Sequence, residues 1–204
     1  DRAYRDSRIN RIFEGTNEIN RIWVADAVVK RGHKHKIELF ERAKKVMQEV
    51  EKGDSQKKSS GDYFEDKTQL VDNFKKVVLM LVEAASNKLG RKMSHEQEIL
   101  NNLADIVMLT YVAESSVLRV RKREDLNVQG EASLFRDMLD VFMIDAADKI
   151  RKYAIDAIYS LDSDENEEKY RKGIEQFTDV KRINVKEARR RIADKLIDEN
   201  RYCF

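Results

Sequence analysis

Few side chains in this sequence have the type and the company to do chemistry, and the most suggestive ones stand near its start. In YRDSRINRIFEGTNEINRIW, which runs from Tyr4 to Trp23, Glu14 follows the bulky Ile12 and Phe13 and precedes Gly15, Thr16 and Asn17. A glycine directly after an acid lets the backbone approach a ligand closely. Thr16 and Asn17, at a helix start, leave N–H groups directed outward, which suits a phosphate or another anion. The same residues also read as an ordinary helix start. Glu14 is then a surface acid, and Thr16 or Asn17 is the cap.

Elsewhere the candidates are isolated. Glu83 and Asp145 lie within apolar helical faces, and a single carboxylate per helix is met by partial exposure or by an ion pair with a neighbouring helix. A di-iron bundle needs Glu-x-x-His pairs on facing helices, and the later helices offer only His95, near a helix start. His33 and His35 flank a loop with no cysteine or acidic cluster beside them, so no metal site is expected. Cys203 is the one cysteine, which excludes an internal disulfide and a cysteine-based zinc site. The basic runs KRGHKHK and RVRKR are short, are followed by acids, and read as solvated helix ends.

The elements that must position Glu14 are helical. The 204 residues are 41% hydrophobic and 38% charged, with seven glycines and no proline. Sandwiches and barrels need many tight turns that use both residues, so the composition points to an all-α protein of long antiparallel helices. The net charge of +2 does not mark a dedicated nucleic-acid binder. No apolar run approaches the length of a membrane span. The first residues carry charges, have no signal-peptide core and no initiating methionine, and read as the tail of a preceding structure.

Apolar spacing places a helix from Thr16 or Asn17 through Val28, with Gly32 as its stop. A second helix over 36–50 carries Ile37, Phe40, Ala43, Val46, Met47 and Val50 on one face, suited to the bundle, a partner or an anionic membrane surface. The stretch EKGDSQKKSSGDYFED reads as a linker. Long helices follow over 68–89, 94–122 and 131–160, then a short polar helix near 165–172 and a last one over 184–199. Ser94 with Gln97, and Asn184 with Glu187, have the spacing of capping boxes. The expected divisions are 1–31, 32–66 and a helical bundle over 67–204.

Taken whole, the opening stretch resembles a signature of the acyl-CoA dehydrogenase family. Arg5, Asp6, Arg8 and Ile9 match its arginine–aspartate–x–arginine/lysine–isoleucine part. Phe13, Glu14, Gly15, Thr16, Asn17 and Ile19 match its aromatic–Glu–Gly–Thr–Asn/Ser loop and the helix behind it. The long helical region that follows resembles the very-long-chain type, which adds a second helical domain.

The resemblance implies an FAD-dependent oxidation of fatty acyl-CoA thioesters to trans-2-enoyl-CoA. Glu14 would be the base that removes the α-proton while the β-hydrogen leaves as hydride to the flavin. Hydrogen bonds to the thioester oxygen, one of them from the glutamate's own N–H, would stabilise the developing enolate. Burial beside substrate and flavin would raise the base strength of Glu14. Gly15 would lie against the acyl-CoA, Thr16, Asn17 and Glu18 would face FAD, and Arg5, Asp6 and Arg8 would fix the loop and subunit packing. At Glu18 many members have glutamine, so a side-chain amide contact is missing there.

An electron-accepting flavoprotein, assembly into a homo-oligomer and peripheral membrane contact belong to the same expectation. The compartment would be the cytoplasm in a bacterium, or the mitochondrial matrix or inner-membrane face in a eukaryote. The domains that hold most of the flavin and substrate in the family lie outside this sequence, so the chain alone is expected to be inactive and to retain FAD poorly. The apolar face of 16–29 would pack on the second bundle or on another copy. The competing reading is a non-enzymatic helical interaction module with Glu14 as a helix-terminal acid.

Overall fold

The computed structural model describes residues 1–52, 59–126, 132–161 and 166–204, with Arg91 described by its backbone only. Among them every regular element is helical: α1 (Arg2–Asp6), α2 (Asn17–His33), α3 (Leu39–Lys52), α4 (Tyr63–Leu89), α5 (Gln97–Asp125), α6 (Ala132–Ser160), α7 (Glu167–Phe177) and α8 (Val185–Glu199). Short 3-10 turns, Ser7–Arg11 and Gly90–His95, follow α1 and α4.

Helices α4, α5 and α6 form the centre. Phe74, Val77, Leu103, Ile106, Met143 and Ile150 are fully enclosed there. Polar pairs along their seams report the chain directions. Lys75 of α4 meets Glu114 of α5 at 2.7 Å, and Arg136 of α6 meets Glu124 of α5 at 2.6 Å, as antiparallel neighbours joined by short connections require. α7 runs back along α4, with Tyr170 donating to Glu83 at 2.5 Å and Lys76 lying over the Phe177 ring at 5.0 Å. The isolated acid Glu83 thus has a neighbouring helix as its partner. Asp145 has one too, in Arg189 of α8 at 3.0 Å.

Several boundaries differ from expectation for tertiary reasons. α4 begins at Tyr63, five residues early. Asp62 caps it through the Glu65 N–H at 2.8 Å, and the Tyr63 hydroxyl donates to Asp140 and to the Arg136 carbonyl across to α6. These anchors lie outside the apolar repeat, so periodicity does not register them. Part of the expected linker, 53–58, lies outside the described residues; Tyr63–Asp66 are helical.

The Ser94–Gln97 capping box does not form. Ser94 is spent in the 3-10 turn around buried Met93, and Glu96 occupies the cap position without a side-chain bond. Asn184 does cap α8, accepting from the Glu187 N–H at 3.2 Å. The expected short polar helix is the longer, amphipathic α7, which buries Tyr170, Gly173, Ile174 and Phe177. Gly173 allows the approach to α4, since a Cβ there would stand 2.4 Å from Met80 Cε.

The apolar face of α3 is used inside the protein. Ala43, Val46, Met47 and Val50 are buried, and Glu49 pairs with Lys76 of α4 at 2.5 Å. The side suited to a membrane surface is therefore covered by the bundle. Among the described residues no helix is long and apolar enough to cross a membrane.

Candidate functional site

The loop that carries Glu14 sits between a loosely attached arm and a well-anchored helix. Every residue from 1 to 14 is exposed. Within the arm, Arg5 pairs with Asp1 and Asp6 with Arg2, at 3.4 and 3.7 Å. Arg5 and Asp6 thus find partners inside their own turn, whereas the resemblance had them fixing the loop. The chain then turns through Ser7–Arg11, with the N–H groups of Ile12 and Phe13 both donating to the Ile9 carbonyl.

Two left-handed residues follow, Glu14 with φ +56° and Gly15 with φ +90°. L side chains disfavour this region, and a Cβ on Gly15 would also stand 2.9 Å from Asn20 Oδ1. The positive φ therefore favours glycine at 15, and a side chain there would also have to displace the Asn20 amide. Thr16 returns the chain to extended backbone and caps α2, its hydroxyl oxygen accepting from the Ile19 N–H at 3.3 Å. Asn20 reaches back to donate to the Gly15 carbonyl at 2.9 Å.

α2 is fixed to the bundle by its inner face. Ala25 and Val29 are buried, Ile22, Val24 and Val28 pack against the core, and Arg21 bonds Asp105 of α5 at 2.7 Å. The inner face thus finds its partner in the same chain, while Trp23, on the outer side, is 67% exposed. Gly32, expected as the stop, lies inside the last turn, where its missing side chain makes room for Leu39.

The five predicted site residues are contiguous and all lie at this bend. Glu14 is exposed and makes no hydrogen bond or ion pair among the described residues. The burial that would strengthen it as a base has no counterpart among the described residues. Phe13, next to it, is 48% exposed. The Glu18 carboxylate is held below the usual carboxylate range by its own backbone N–H first and the Thr16 hydroxyl second, with burial opposing and Arg21 assisting. Thr16 and Glu18 thus spend their polar side chains on the helix start. Half-buried Asn17 makes no side-chain bond among the described residues, and Gly15 offers no Cβ. An uncommitted amide beside an open backbone fits one polar edge of a flavin, not a whole cofactor. Asn20 went unread in the sequence; an amide one turn into the helix, five residues past Gly15, is the signal that points to it.

The exposed His33 ring rests against Phe40 at 4.7 Å between centroids. No group of three or more His, Cys, Asp or Glu side chains among the described residues is arranged to hold a metal ion.

Residues 73–175, from α4 into α7, match the family described as "Acyl-CoA dehydrogenase, C-terminal domain". The chain belongs to the acyl-CoA dehydrogenase family. A probable acyl-CoA dehydrogenase of Bacillus subtilis (strain 168) is 34% identical over 204 residues, covering 99% of this chain and 34% of the relative. The crystal structure of an acyl-CoA dehydrogenase complexed with FAD from Bacillus anthracis shares 33% identity at a TM-score of 0.90, over 98% of this chain and 34% of that one. The chain thus spans about a third of the length of the acyl-CoA dehydrogenases it matches. Its all-α bundle is a fold that the family contains.

Proposed function

We propose that this chain acts as the C-terminal part of an FAD-dependent acyl-CoA dehydrogenase and contributes Glu14 as the base that removes the α-proton of a fatty acyl-CoA thioester. The observation that carries the reading is the bend itself. In a chain of this family, two consecutive left-handed residues present an unpaired carboxylate beside a glycine, just ahead of an anchored helix. A surface acid at a helix start does not need that backbone. A capping acid belongs at or inside the first turn, whereas Glu14 stands two residues before the Thr16 cap.

The chain's own residues then have distinct tasks. Gly15 lets the thioester approach without a side chain in the way. The Glu14 carboxylate takes the α-proton, and its own N–H is a donor for the oxygen where enolate charge gathers. Asn17 offers a polar contact at the cofactor's edge, with backbone groups of Thr16 and Glu18 beside it. Hydride acceptance is the chemistry that FAD supplies when bound. The walls that exclude water from Glu14 come from the remainder of the longer protein, and so does most of the flavin site. On this reading the chain alone is inactive, passes electrons to a flavoprotein acceptor only as part of the whole, and works as a homo-oligomer.

The test is Glu14→Gln in the longer protein. Thioester oxidation should disappear while the protein stays yellow with bound FAD; turnover that survives the change rejects the assignment.

A further inference from the structure

The bend at Glu14 and Gly15 is held from one identifiable side chain. The entry to the bend is set by the two bonds to the Ile9 carbonyl, and its exit by the Asn20 amide on the Gly15 carbonyl at 2.9 Å. A left-handed glutamate persists only where its surroundings over-determine it. Asn20 is well placed to do so. Its own N–H is bonded to the Thr16 carbonyl at 2.9 Å, which fixes its Cα in the first turns of α2. Its neighbour Arg21 ties that turn to Asp105 of α5 at 2.7 Å. A rigid path therefore runs from the bundle through Arg21 and Asn20 to the carbonyl that follows Glu14.

We infer that Asn20 is a positioning residue for the Glu14 carboxylate, clamping the Gly15 carbonyl so that Glu14 keeps its left-handed backbone and a single outward direction. The role rests on the reading of Glu14 as the base. The chemistry of the clamp is specific. An aspartate at 20 has the same shape but no N–H, and its charge repels the carbonyl. A glutamine keeps the donor on an arm one methylene longer. The clamp also ties the preference for glycine at 15 to the residue at 20, because the same amide occupies the space a Cβ would need. Small displacements of a base are costly to rate, whereas an interaction that serves only its direction leaves substrate affinity alone.

The test uses Asn20→Asp, Asn20→Ala and Asn20→Gln in two settings. In the 204-residue chain, NMR reads the strong intraresidue HN–Hα cross-peak that marks the positive φ of Glu14. It should be lost in the Asp and Ala variants and partly kept in the Gln variant, with the thermal midpoint nearly unmoved because the site is exposed. In the longer, FAD-loaded protein, Asn20→Asp should lower kcat about tenfold, the scale of one lost hydrogen bond, with KM unchanged. A cross-peak that persists in Asn20→Asp overturns the clamp. A cross-peak lost without a fall in kcat overturns the positioning role. A Glu14→Gln protein that still turns over rejects the base and the positioning role together, while failure of the Asn20 variants alone leaves the base reading standing.

Discussion

Arg191 of α8 and Asp137 of α6 face each other through two nitrogen–oxygen contacts of 2.7 Å each. Asp137 is largely covered, at 13% exposure, whereas Arg191 is 55% exposed. Arg189 reaches both oxygens of Asp145 from one nitrogen, at 3.0 and 3.2 Å, and Arg182, just ahead of α8, pairs with Asp148. Of the α8 side chains only Ala188 is buried, and Ile197 is 73% exposed. Three ion pairs thus tie the last helix and the residue ahead of it to α6, beside the apolar contacts of Val185 and Ala188.

Exposed ion pairs weaken as salt screens them. Raising the salt from about 0.05 to about 0.5 M should therefore loosen α8 selectively. Hydrogen exchange should show the amides of Val185–Glu199 losing protection while those of α5 keep theirs. The double change Arg189→Ala and Arg191→Ala should produce the same pattern at low salt. Protection that ignores both would leave Ala188 and the Phe204–Phe135 ring contact as the true fastening.

The pair between Arg136 and Glu124 carries a pH dependence. The Arg136 guanidinium holds the Glu124 carboxyl below its ordinary value of 4.5, with burial opposing. The folded pKa is depressed, so the unfolded chain takes up the proton first as pH falls. The stabilising contribution is complete above about pH 4.5 and is lost as pH drops through the lower folded value. Urea midpoints at about pH 6 and about pH 3 should differ less in Glu124→Gln than in the wild type. An equal acid loss in both would show that other carboxylates dominate.

Gly32 should not tolerate even a methyl group. A Cβ there would lie 2.7 Å from Leu39 Cδ2 and 2.9 Å from Leu39 Cβ, and the second atom cannot swing away without moving the start of α3. Gly32→Ala is expected to cost about 1–3 kcal/mol, the usual range for overpacking, measured by chemical denaturation. A neutral result would mean that the α2–α3 turn shifts freely.

Gly15→Ala should be destabilising by a different route. Its φ of +90° disfavours any L side chain, and the Asn20 amide fills the space. A loss of about 1–2 kcal/mol is expected. Combining it with Asn20→Ala should recover the steric part and leave the backbone part, which a double-mutant cycle can separate.

Much of the scaffold was legible because burial follows spacing. The α5 positions Ile99, Leu103, Ile106, Thr110, Ala113 and Val117 recur at three and four and are buried, and Val107, read on the same face, is half-buried. The α3 face was equally readable, but what it covered was not. Spacing says that Val46, Met47 and Val50 share a side, and only the neighbouring α4 says that the side is closed. α7 shows the opposite case. Tyr170, Ile174 and Phe177 were hidden among charges, and the helix reads as apolar on one side only once α4 lies against it. At the bend, the acid, the glycine and the capping threonine could be read as types. The left-handed backbone and the hold of Asn20 on it could not.

Proline is absent, glycine is scarce and apolar residues recur with helical period, and these features alone make this a protein of long helices. The residues from Arg5 to Ile19 resemble the family's signature, and the likeness of the whole chain to its members bears the family out. Which apolar faces are closed, where α4 and α5 begin, and which acids of α6 the arginines of α8 reach follow from the packing of the helices. Those outcomes depend on contacts between positions far apart in the chain, such as Tyr63 with Asp140 and Arg191 with Asp137, and local spacing carries no information about them.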